Sequence, residues 1–489
     1  MNGHKGLTAP SDENQGGTSK GKIADLRAKA DTERTIAARM RTLVVGPYRT
    51  GSRKNSSGLS ASRAVENRLD EASGLAAAIE LSIVQSVIVA TNTLRPATYI
   101  GKGKVEELTA FIASEDIGLV VIDAALTPVQ QRNLEKAFSA KVIDRTGLIL
   151  EIFGRRARTR EGTLQVELAH LGYQKSRLVR SWTHLERQRG GFGFMGGPGE
   201  TQIETDRRLI QERMTRLERE LEQVKRTRGL HRAGRERVPY PTVALVGYTN
   251  AGKSTVFNRM TKSEVLAKDM LFATLDPTAR VVKLKPGLDV ILSDTVGFIS
   301  ELPTTLIAAF RATLEDVLVA DIILHIRDMA HGDAEAQGED VSGILTELGI
   351  NPSDHQKLIE VWNKSDQLSL EQRLQFENLL AARPEESRPV LLSAITGEGF
   401  DTLKAAIERR MTTGRETYTV TVNGADGEGL SWLYSLGEVL GRTGSDGGDI
   451  SAVVRIAPAK SGLLFKRFPD AAQVVMAPLG NTSLTENDR

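Results

Sequence analysis

The 489-residue sequence contains no cysteine, and only 5% of its residues are aromatic. The absence of cysteine excludes disulfides, thiolate metal sites and cysteine nucleophiles, and it fits a reducing compartment. No apolar run approaches the roughly 18 residues that a membrane span needs, and the N-terminus lacks the apolar core of a signal peptide. A net charge of +2 excludes a uniformly basic protein. The composition predicts a multidomain globular protein of the cytoplasm.

Two parts of the chain alternate strand-like and helix-like segments, which predicts parallel α/β sheets. Residues 1–41 are rich in Gly, Ser, Lys and Asp and predict a disordered tail. A small α/β domain is predicted over 42–152, with a first strand at Thr42–Tyr48 that is stopped by Gly-Pro. A second α/β domain is predicted over 238–413.

The C-terminal region, 414–489, has a mixed pattern. It contains the strand-like YTVTV and ISAVVRIA, a helical LSWLYSLGEVL and a last helix near Gly462–Phe468. These segments predict a small α+β domain.

Between the two α/β domains, residues 153–237 carry two apolar runs at heptad spacing. The first run is Leu164, Leu168, Leu171, Leu178, Trp182 and Leu185, and the second is Ile203, Ile210, Met214, Leu217, Leu221 and Val224. Two seams joined by one loop predict an antiparallel helical hairpin, an arm on the order of 40 Å long. Its tip is the glycine-rich QRGGFGFMGGPGETQ, residues 188–202.

The first half of this arm is strongly basic. Between Arg155 and Arg189 there are nine Lys or Arg residues against three Glu. Positive side chains in such a cluster repel one another unless an anionic partner compensates their charge, and the phosphates of RNA would do so. The aromatic residues of the tip could stack on bases. The RNA-contact candidates are Arg177, Arg180, Arg187, Arg189, Gly190, Gly191, Phe192, Phe194 and Gly199. A solvated helix face is the simpler alternative for the charges, and the two phenylalanines could instead cap the hairpin's own core.

VALVGYTNAGKST reads as a buried strand that runs into Gly247-x4-Gly252-Lys253-Ser254. In this spacing, glycines turn backbone N–H groups toward phosphate, the lysine neutralises the β- and γ-phosphates, and the serine hydroxyl binds Mg²⁺. The candidate nucleotide contacts are Gly247, Tyr248, Thr249, Asn250, Ala251, Gly252, Lys253, Ser254 and Thr255.

Downstream motifs complete a nucleotide site. Asp294 ends the apolar strand of DVILSDTVG, where its carboxylate can hold the Mg²⁺ shell, and the Gly297 amide can meet the γ-phosphate. Thr274, in LFATLDPT, is placed as a switch threonine that contacts Mg²⁺. The metal candidates are Ser254, Thr274 and Asp294, and the catalytic candidates are Lys253, Thr274 and Gly297.

A guanine-selective motif follows the apolar LIEVW. In Asn363-Lys364-Ser365-Asp366 the aspartate can accept both N–H groups of the guanine N1/N2 edge, which adenine does not offer. Ser393-Ala394, after PVLL, would supply a backbone contact to the guanine O6. Together with the P-loop, these residues predict GTP rather than ATP as the substrate.

Phe298 occupies the position where many GTPases carry a water-orienting glutamine. It indicates either a slow switch or an active site completed by a partner or an ion. Asn250, directly before Ala-Gly-Lys-Ser, is a candidate K⁺ ligand, and it could also simply shape the turn. A second glycine-lysine turn, YIGKGKVEEL at Tyr99–Leu108, could bind an anion through Lys102 and Lys104, and a structural turn, an RNA-backbone contact and a separate ATP site all stay open.

Several segments in chain order resemble the HflX family of ribosome-associated GTPases. They are YIGKGKVEEL, ALTPVQQRNLEKAF, VIDRTGLILEIF with RRARTREGTLQVELA, RSWTHLERQRGG, GPGETQIETDRR, LVGYTNAGKST, FATLDPT, DTVGFI and NKSD. The likeness covers about residues 42–411, is looser over 415–489 and is absent over 1–41. The family usually has a basic residue before Gly-Pro-Gly-Glu, whereas this tip reads Phe194-Met195-Gly196-Gly197-Pro198.

The resemblance implies a function. HflX proteins bind the large ribosomal subunit with GTP bound, point their arm toward the peptidyl transferase centre, split stalled or idle ribosomes under stress, and hydrolyse GTP faster on ribosomes. They also carry a hydrophobic residue where Phe298 stands. The implied partners are GTP or GDP and the large ribosomal subunit with its RNA. The site residues described above predict Mg²⁺ and a candidate K⁺ as cofactors, and we expect a monomer. Alternatives are a large-subunit assembly GTPase, an ATP-dependent RNA remodeller that uses the N-terminal domain, and a binding-only regulator of a protein partner.

Overall fold

The computed structural model describes residues 40–48, 64–188, 198–235, 240–262, 271–272, 274, 278–285, 288–301, 314, 316–412, 415–444, 448–456 and 458–474. Within its elements, the side chains of 179–188, 198–203, 225, 227–235, 285, 288 and 458–459 are not described. The predicted tail therefore lies outside the described residues, except for 40–41. The chain forms two compact units: one holds the described residues of 1–56, 64–155 and 177–192, and the other those of 156–176 and from 193 onward.

The first unit is built on a four-stranded parallel sheet. Its strands are β1 (Arg41–Tyr48), β2 (Ser82–Ala90), β3 (Leu119–Ile122) and β4 (Lys141–Asp144), in the order β2-β1-β3-β4. Parallel neighbours need crossover connections, and helices supply them. These helices are α1 (Val65–Ala77), α2 (Lys102–Ser114) and α3 (Pro128–Phe138), and α4 (Arg145–Arg156) follows the last strand.

The predicted first strand is present, but Gly46 and Pro47 do not end it. Strand β3 pairs with β1 only from Thr42 to Val45, so Pro47 lies beyond the last residue paired on that side. Proline lacks an N–H and is tolerated in a sheet where that donor is not required. The apolar side chains of β1 and β3 pack with those of α2 and α3 to form the core of this sheet.

Two long helices follow: α5 (Arg160–Gln188) has 29 residues and α6 (Pro198–Arg235) has 38. At 1.5 Å per residue they are about 44 and 57 Å long. Arg160 pairs with Glu220 (3.9 Å) and Glu167 with Arg213 (2.7 Å), so partners rise along one helix as they fall along the other. The predicted antiparallel hairpin is confirmed over these residues.

The tip is shorter than the sequence suggested. Helix α6 begins at Pro198, so the last five residues of the predicted loop are helical, and Gly199 lies in the first helical turn. Proline suits this place because the first N–H groups of a helix have no intrahelical partner. Residues 189–197 lie outside the described part of the chain.

The predicted heptad seam matches the burial of the described arm residues. Leu164 and Leu217 are buried, and the remaining seam residues that can be judged are half-buried: Leu168, Leu171, Leu178, Ile210, Met214, Leu221 and Val224. Trp182, Leu185 and Ile203 lie outside the described side chains.

The second unit contains a six-stranded sheet in the order β10-β9-β8-β5-β7-β6. Its strands are β5 (Thr242–Gly247), β6 (Thr278–Lys285), β7 (Leu288–Asp294), β8 (Ile322–Asp328), β9 (Leu358–Asn363) and β10 (Val390–Leu391). All neighbours are parallel except β6, which runs antiparallel to β7. The associated helices are α7 (Lys253–Thr261), α8 (Ala334–Glu347), α9 (Leu370–Ala382) and α10 (Phe400–Thr412). The carboxyl ends of the parallel strands share one edge, where ligands bind in such sheets.

The C-terminal region of this unit is a β-α-β-β-α-β arrangement. It consists of β11 (Glu416–Val422), α11 (Gly427–Leu436), β12 (Glu438–Gly444), β13 (Ile450–Ile456), α12 (Pro458–Arg467) and β14 (Ala472–Val474), with an antiparallel sheet in the order β12-β13-β11-β14. The predicted helix LSWLYSLGEVL was too long: it ends at Leu436, and Glu438 starts a strand. A Cβ on Gly437 would meet the Arg455 carbonyl oxygen at 2.5 Å, so the close approach of this strand pair requires glycine.

The predicted fold class is confirmed. A parallel α/β domain, a helical hairpin, a second and larger α/β domain and a small α+β domain follow one another along the chain. None of the helices among the described residues is long and apolar enough to span a membrane.

Candidate functional site

The loop between β5 and α7 has the backbone shape of a phosphate-binding loop. Asn250 and Gly252 have φ values of 61° and 93°, in the left-handed region. A Cβ on Gly252 would meet the Asn363 side-chain nitrogen at 2.2 Å, so this glycine is required by close approach as well as by its φ. Lys253, Ser254 and Thr255 follow in the first turn of α7, whose N-terminus carries the positive end of the helix dipole.

Lys253 is buried beneath this loop. Its Nζ donates to the carbonyl oxygens of Tyr248 (2.7 Å) and Gly247 (3.2 Å). Burial lowers the pKa of Lys253 from 10.5 to about 8, although the nearby carboxylate of Asp294 opposes that shift. A Cβ on Gly297 would meet this ammonium group at 2.9 Å, so Gly297 leaves room for the lysine and for whatever anion it binds.

The three predicted metal ligands lie together. Ser254 Oγ is 2.7 Å from both Thr274 Oγ1 and Asp294 Oδ2, and Thr274 Oγ1 is 3.0 Å from the same carboxylate oxygen. Asp294 Oδ1 is buried and has no hydrogen-bond partner among the described residues. Burial raises the pKa of Asp294, against the opposing effects of Ser254, Lys253 and Thr274. Two hydroxyls and one carboxylate that converge in this way suit Mg²⁺, which binds oxygen ligands and is held by one or two carboxylates together with phosphates and water.

Phe298 is held by its main chain and buried by its side chain. Its N–H donates to the Gly247 carbonyl (3.0 Å), and its carbonyl accepts from Thr249 N–H (2.7 Å). The side chain is 2% exposed. It therefore has neither the chemistry nor the access to orient a water molecule, as the sequence indicated.

Tyr248 has a role that the sequence did not reveal. Its hydroxyl accepts a hydrogen bond of 2.8 Å from the Ser300 N–H, two residues after Phe298. The P-loop and the segment after the Asp-x-x-Gly motif are thus joined by a side chain as well as by the Phe298 backbone.

The predicted base-recognition residues also meet. Asn363, the last residue of β9, donates to the Ala251 carbonyl (2.8 Å), and its Oδ1 accepts from Ala394 N–H (3.0 Å). Ser393 Oγ donates to Asp366 Oδ1. The Asn-Lys-x-Asp loop is therefore tied both to the P-loop and to the Ser393-Ala394 loop, and Asp366 is oriented by its serine partner.

Three residues at this end were missed. Asp328, at the end of β8, pairs with Lys364 (2.6 Å); a carboxylate that follows a buried strand was the available signal. Ile395, next to Ala394, is 67% exposed, an apolar side chain beside the base-recognition loop. Arg259 of α7 contacts the same loop; only the fold brings it there.

The structure describes only some of the arm residues that are candidates for RNA contact. Arg177 pairs with Asp144 (2.6 Å) and also contacts Gln131, and its assignment to RNA stays a prediction. The side chains of Arg180 and Arg187 lie outside the described part, as do Arg189, Gly190, Gly191, Phe192 and Phe194 entirely.

A cleft of about 550 Å³ lies on the described part of the arm. It is lined by Lys175, Glu204, Thr205, Arg207, Arg208 and Gln211.

The second glycine-lysine turn has local partners. Lys102 and Lys104 begin α2 and pair with Glu106 (3.7 Å) and Glu107 (2.6 Å) of the same helix. These contacts favour a structural turn over an anion site.

One sheet edge thus carries a phosphate loop with its lysine, an oxygen cluster suited to Mg²⁺, and a base loop selective for guanine. Fold and site define a P-loop GTPase, an enzyme that hydrolyses GTP.

Comparison with known protein families agrees with the assignment to the P-loop GTPases and indicates one family among them. In chain order the matches are GTP-binding GTPase N-terminal (66–154), GTP-binding GTPase Middle Region (156–235), 50S ribosome-binding GTPase (242–364) and HflX C-terminal domain (380–475).

Individual relatives are similar over most of their length. GTPase HflX of Magnetococcus marinus is 49% identical over 402 residues, which cover 82% of this chain and 90% of that protein. GTPase HflX of Escherichia coli is 42% identical over 390 residues, covering 79% and 89%. A solved GTP-binding protein of Sulfolobus solfataricus in complex with GDP is 21% identical, with a TM-score of 0.40 over 76% of this chain and 99% of that one, a likeness too weak to add to the argument. The chain belongs to the HflX family of GTPases.

Proposed function

We propose that this GTPase binds the large ribosomal subunit in its GTP-bound state and splits stalled or idle ribosomes under stress. Hydrolysis of GTP would then release it from the subunit. The proposal is carried by one combination: a guanine-nucleotide site in the same chain as a helical arm about 44–57 Å long. The matching family description, 50S ribosome-binding GTPase, supports the same partner. We expect it to act as a cytoplasmic monomer.

The proposed site follows the geometry above. The P-loop residues Gly247 to Thr255 and Gly297 would surround the phosphates, while Asn363, Lys364, Asp366, Ser393 and Ala394 would surround guanine. Ser254, Thr274 and Asp294 would hold Mg²⁺ through the oxygens that already converge there. Bound Mg²⁺ would neutralise charge that develops on the phosphates during transfer.

Lys253, Thr274 and Gly297 are the proposed catalytic groups. Phe298 cannot position water because it is buried and apolar, so another group must complete the site. We propose that the ribosome does so and that K⁺ at Asn250, an exposed residue in the left-handed region, assists. Replacing K⁺ by Na⁺ in a turnover assay should slow hydrolysis if the ion takes part, and equal rates would remove K⁺ from the mechanism.

The arm supplies the proposed RNA contact. Its described cleft carries three cationic residues, Lys175, Arg207 and Arg208, against one carboxylate, Glu204. Cationic side chains that face outward attract phosphates, with an affinity that falls as salt rises. We propose that this cleft binds RNA backbone and that the tip, with Phe192 and Phe194, lies near the peptidyl transferase centre.

Sedimentation of purified ribosomes in a sucrose gradient tests the proposal directly. With a non-hydrolysable GTP analogue, ribosomes should separate into subunits, with the protein on the large one. Arg207→Glu should weaken subunit binding, whereas Arg226→Glu, on the same helix but paired with Glu222, should change it little. Intact ribosomes, with protein only on isolated or precursor large subunits, would favour an assembly factor instead.

A further inference from the structure

The base-recognition loop, Ser393–Thr396, is held by a side chain of helix α7. Arg259, the seventh residue of α7, donates from Nη1 to the carbonyl oxygens of Ile395 (2.8 Å) and Ala394 (3.4 Å) and from Nη2 to that of Thr396 (2.7 Å). One guanidinium therefore contacts three successive peptide groups. Its planar fork of donors suits this task, which a lysine could fulfil only in part.

The loop is shaped to receive this side chain. Gly397 has a φ of 93°, and a Cβ there would meet Arg259 Nη2 at 2.0 Å. The Gly397 N–H donates to the Ser393 carbonyl (2.9 Å), which closes the turn around the guanidinium. On its other side the guanidinium lies over the Phe400 ring, 5.8 Å from its centre.

The same helix serves both ends of the nucleotide site. Lys253 and Ser254 stand in its first turn, and Arg259 lies six residues after Lys253, about 9 Å along the axis. The loop that Arg259 holds includes Ala394, whose N–H donates to Asn363. Ser393 directly precedes Ala394, and its hydroxyl orients Asp366.

We propose that Arg259 is a positioning residue for guanine recognition, which fixes the Ser393–Thr396 backbone so that the base meets preorganised donors. The proposal rests on the guanine site of the proposed function. The described contacts of Arg259 are with the base-recognition loop and Phe400, so its removal should weaken base binding without slowing the chemical step. Loss of preorganisation appears as lost affinity because the loop must then be ordered during binding.

The test begins with Arg259→Ala in the full-length protein. We expect the Kd for GDP and the KM for GTP to rise by about tenfold, with kcat at saturating GTP unchanged. Arg259→Lys should recover part of the loss. Arg388→Ala is the matched control, since that arginine of the same unit also donates to a backbone carbonyl, that of Arg383 (3.0 Å), and it should leave both constants unchanged.

A base-specific readout separates positioning from general weakening. 6-Thio-GDP replaces only the O6 acceptor that the Ala394 N–H would meet, so the wild type should prefer GDP, and this preference should shrink in Arg259→Ala. Gly397→Ala displaces the same guanidinium, so its effect on the Kd for GDP should combine with that of Arg259→Ala less than additively.

The outcomes are distinguishable. Unchanged GDP affinity in Arg259→Ala, an unchanged preference for GDP over 6-thio-GDP, or a fall in kcat without a change in KM would overturn the role of Arg259. A wild-type protein that failed to bind GDP would overturn the guanine site itself.

Discussion

Two sheets among the described residues are built mainly from parallel strands, and both carry polar side chains where those strands end. At the N-terminal sheet these groups pair with one another. Tyr48 donates to Asp123 (2.6 Å), Arg145 bridges Asp123 and Glu71, and Arg177 pairs with Asp144. The three carboxylates of this edge each have an arginine partner.

The edge of the GTPase sheet is organised differently. Asp294 keeps a buried oxygen without a partner among the described residues, and Lys253 donates hydrogen bonds to backbone carbonyls, with the Asp294 carboxylate nearby. A strand end is therefore not a ligand site by position alone. At the GTPase edge, a carboxylate oxygen that could bind a cation remains to be satisfied by something outside the chain.

The largest expected effect is that of Lys253→Ala. Removing the phosphate-facing ammonium should lower GTP turnover by at least about 100-fold. Lys262→Ala, at the exposed end of the same helix, is the control and should behave as wild type. If ATP hydrolysis survives in Lys253→Ala, the N-terminal sheet has a nucleotide site after all and the contrast between the two edges fails.

The next effect concerns the N-terminal edge alone. Asp123→Asn should leave the buried guanidinium of Arg145 partly uncompensated and lower the free energy of unfolding by about 3 kcal/mol. Arg41→Ala breaks the exposed pair with Glu115 and should cost less than about 1 kcal/mol. Urea unfolding measures both, and a changed KM for GTP in Asp123→Asn would show that this edge is not merely structural.

Sequence reasoning was strongest where chemistry fixes spacing. Lys253, Asp294 and Asn363 stand in short motifs whose residue types phosphate, magnesium and guanine require. Arg259 could not be found this way, because its partners are carbonyl groups 135–137 residues away, and any residue type supplies a carbonyl.

Arg177 shows what a charge run leaves out. It is a predicted RNA ligand as part of that run, and the fold also places Asp144 beside it. Charge patterns do not reveal their partners. The end of the LSWLYSL helix was likewise missed because apolar periodicity continued through Gly437 while the backbone became extended.

A pH effect of intermediate size should appear at the GTPase edge. The pKa of Lys253 is about 8 without a phosphate beside it, and an anionic phosphate must raise it. Nucleotide binding should therefore take up a proton above pH 8, and GDP affinity should fall as pH rises through that value, at most about tenfold per pH unit. Calorimetry in buffers of different ionisation enthalpy measures this uptake, and no uptake at pH 8.5 would contradict the buried lysine.

The smallest effects compare two tyrosines that follow or end the first strand of each sheet. Tyr48→Phe leaves an Asp123 oxygen without its donor and should cost about 1–2 kcal/mol of stability, with GTP kinetics unchanged. Tyr248→Phe removes the acceptor for Ser300 N–H and should change turnover by about two- to fivefold with little loss of stability. The free energy of unfolding and the GTP turnover rate should be measured for both variants. Equal changes of both quantities in the two variants would contradict the difference proposed between the two sheet edges.

The backbone bridge at Phe298 limits which substitutions this position can accept. Its hydrogen bonds belong to peptide groups, so another large apolar side chain could replace phenylalanine without disturbing them. A glutamine there would place an amide in a buried position, at a cost of about 1–3 kcal/mol if it found no partner. Restoring the water-orienting residue by one substitution is therefore opposed by the fold. Under the proposed function, fast hydrolysis then depends on a group from outside the chain, which would place the timing of the switch under the control of the binding partner.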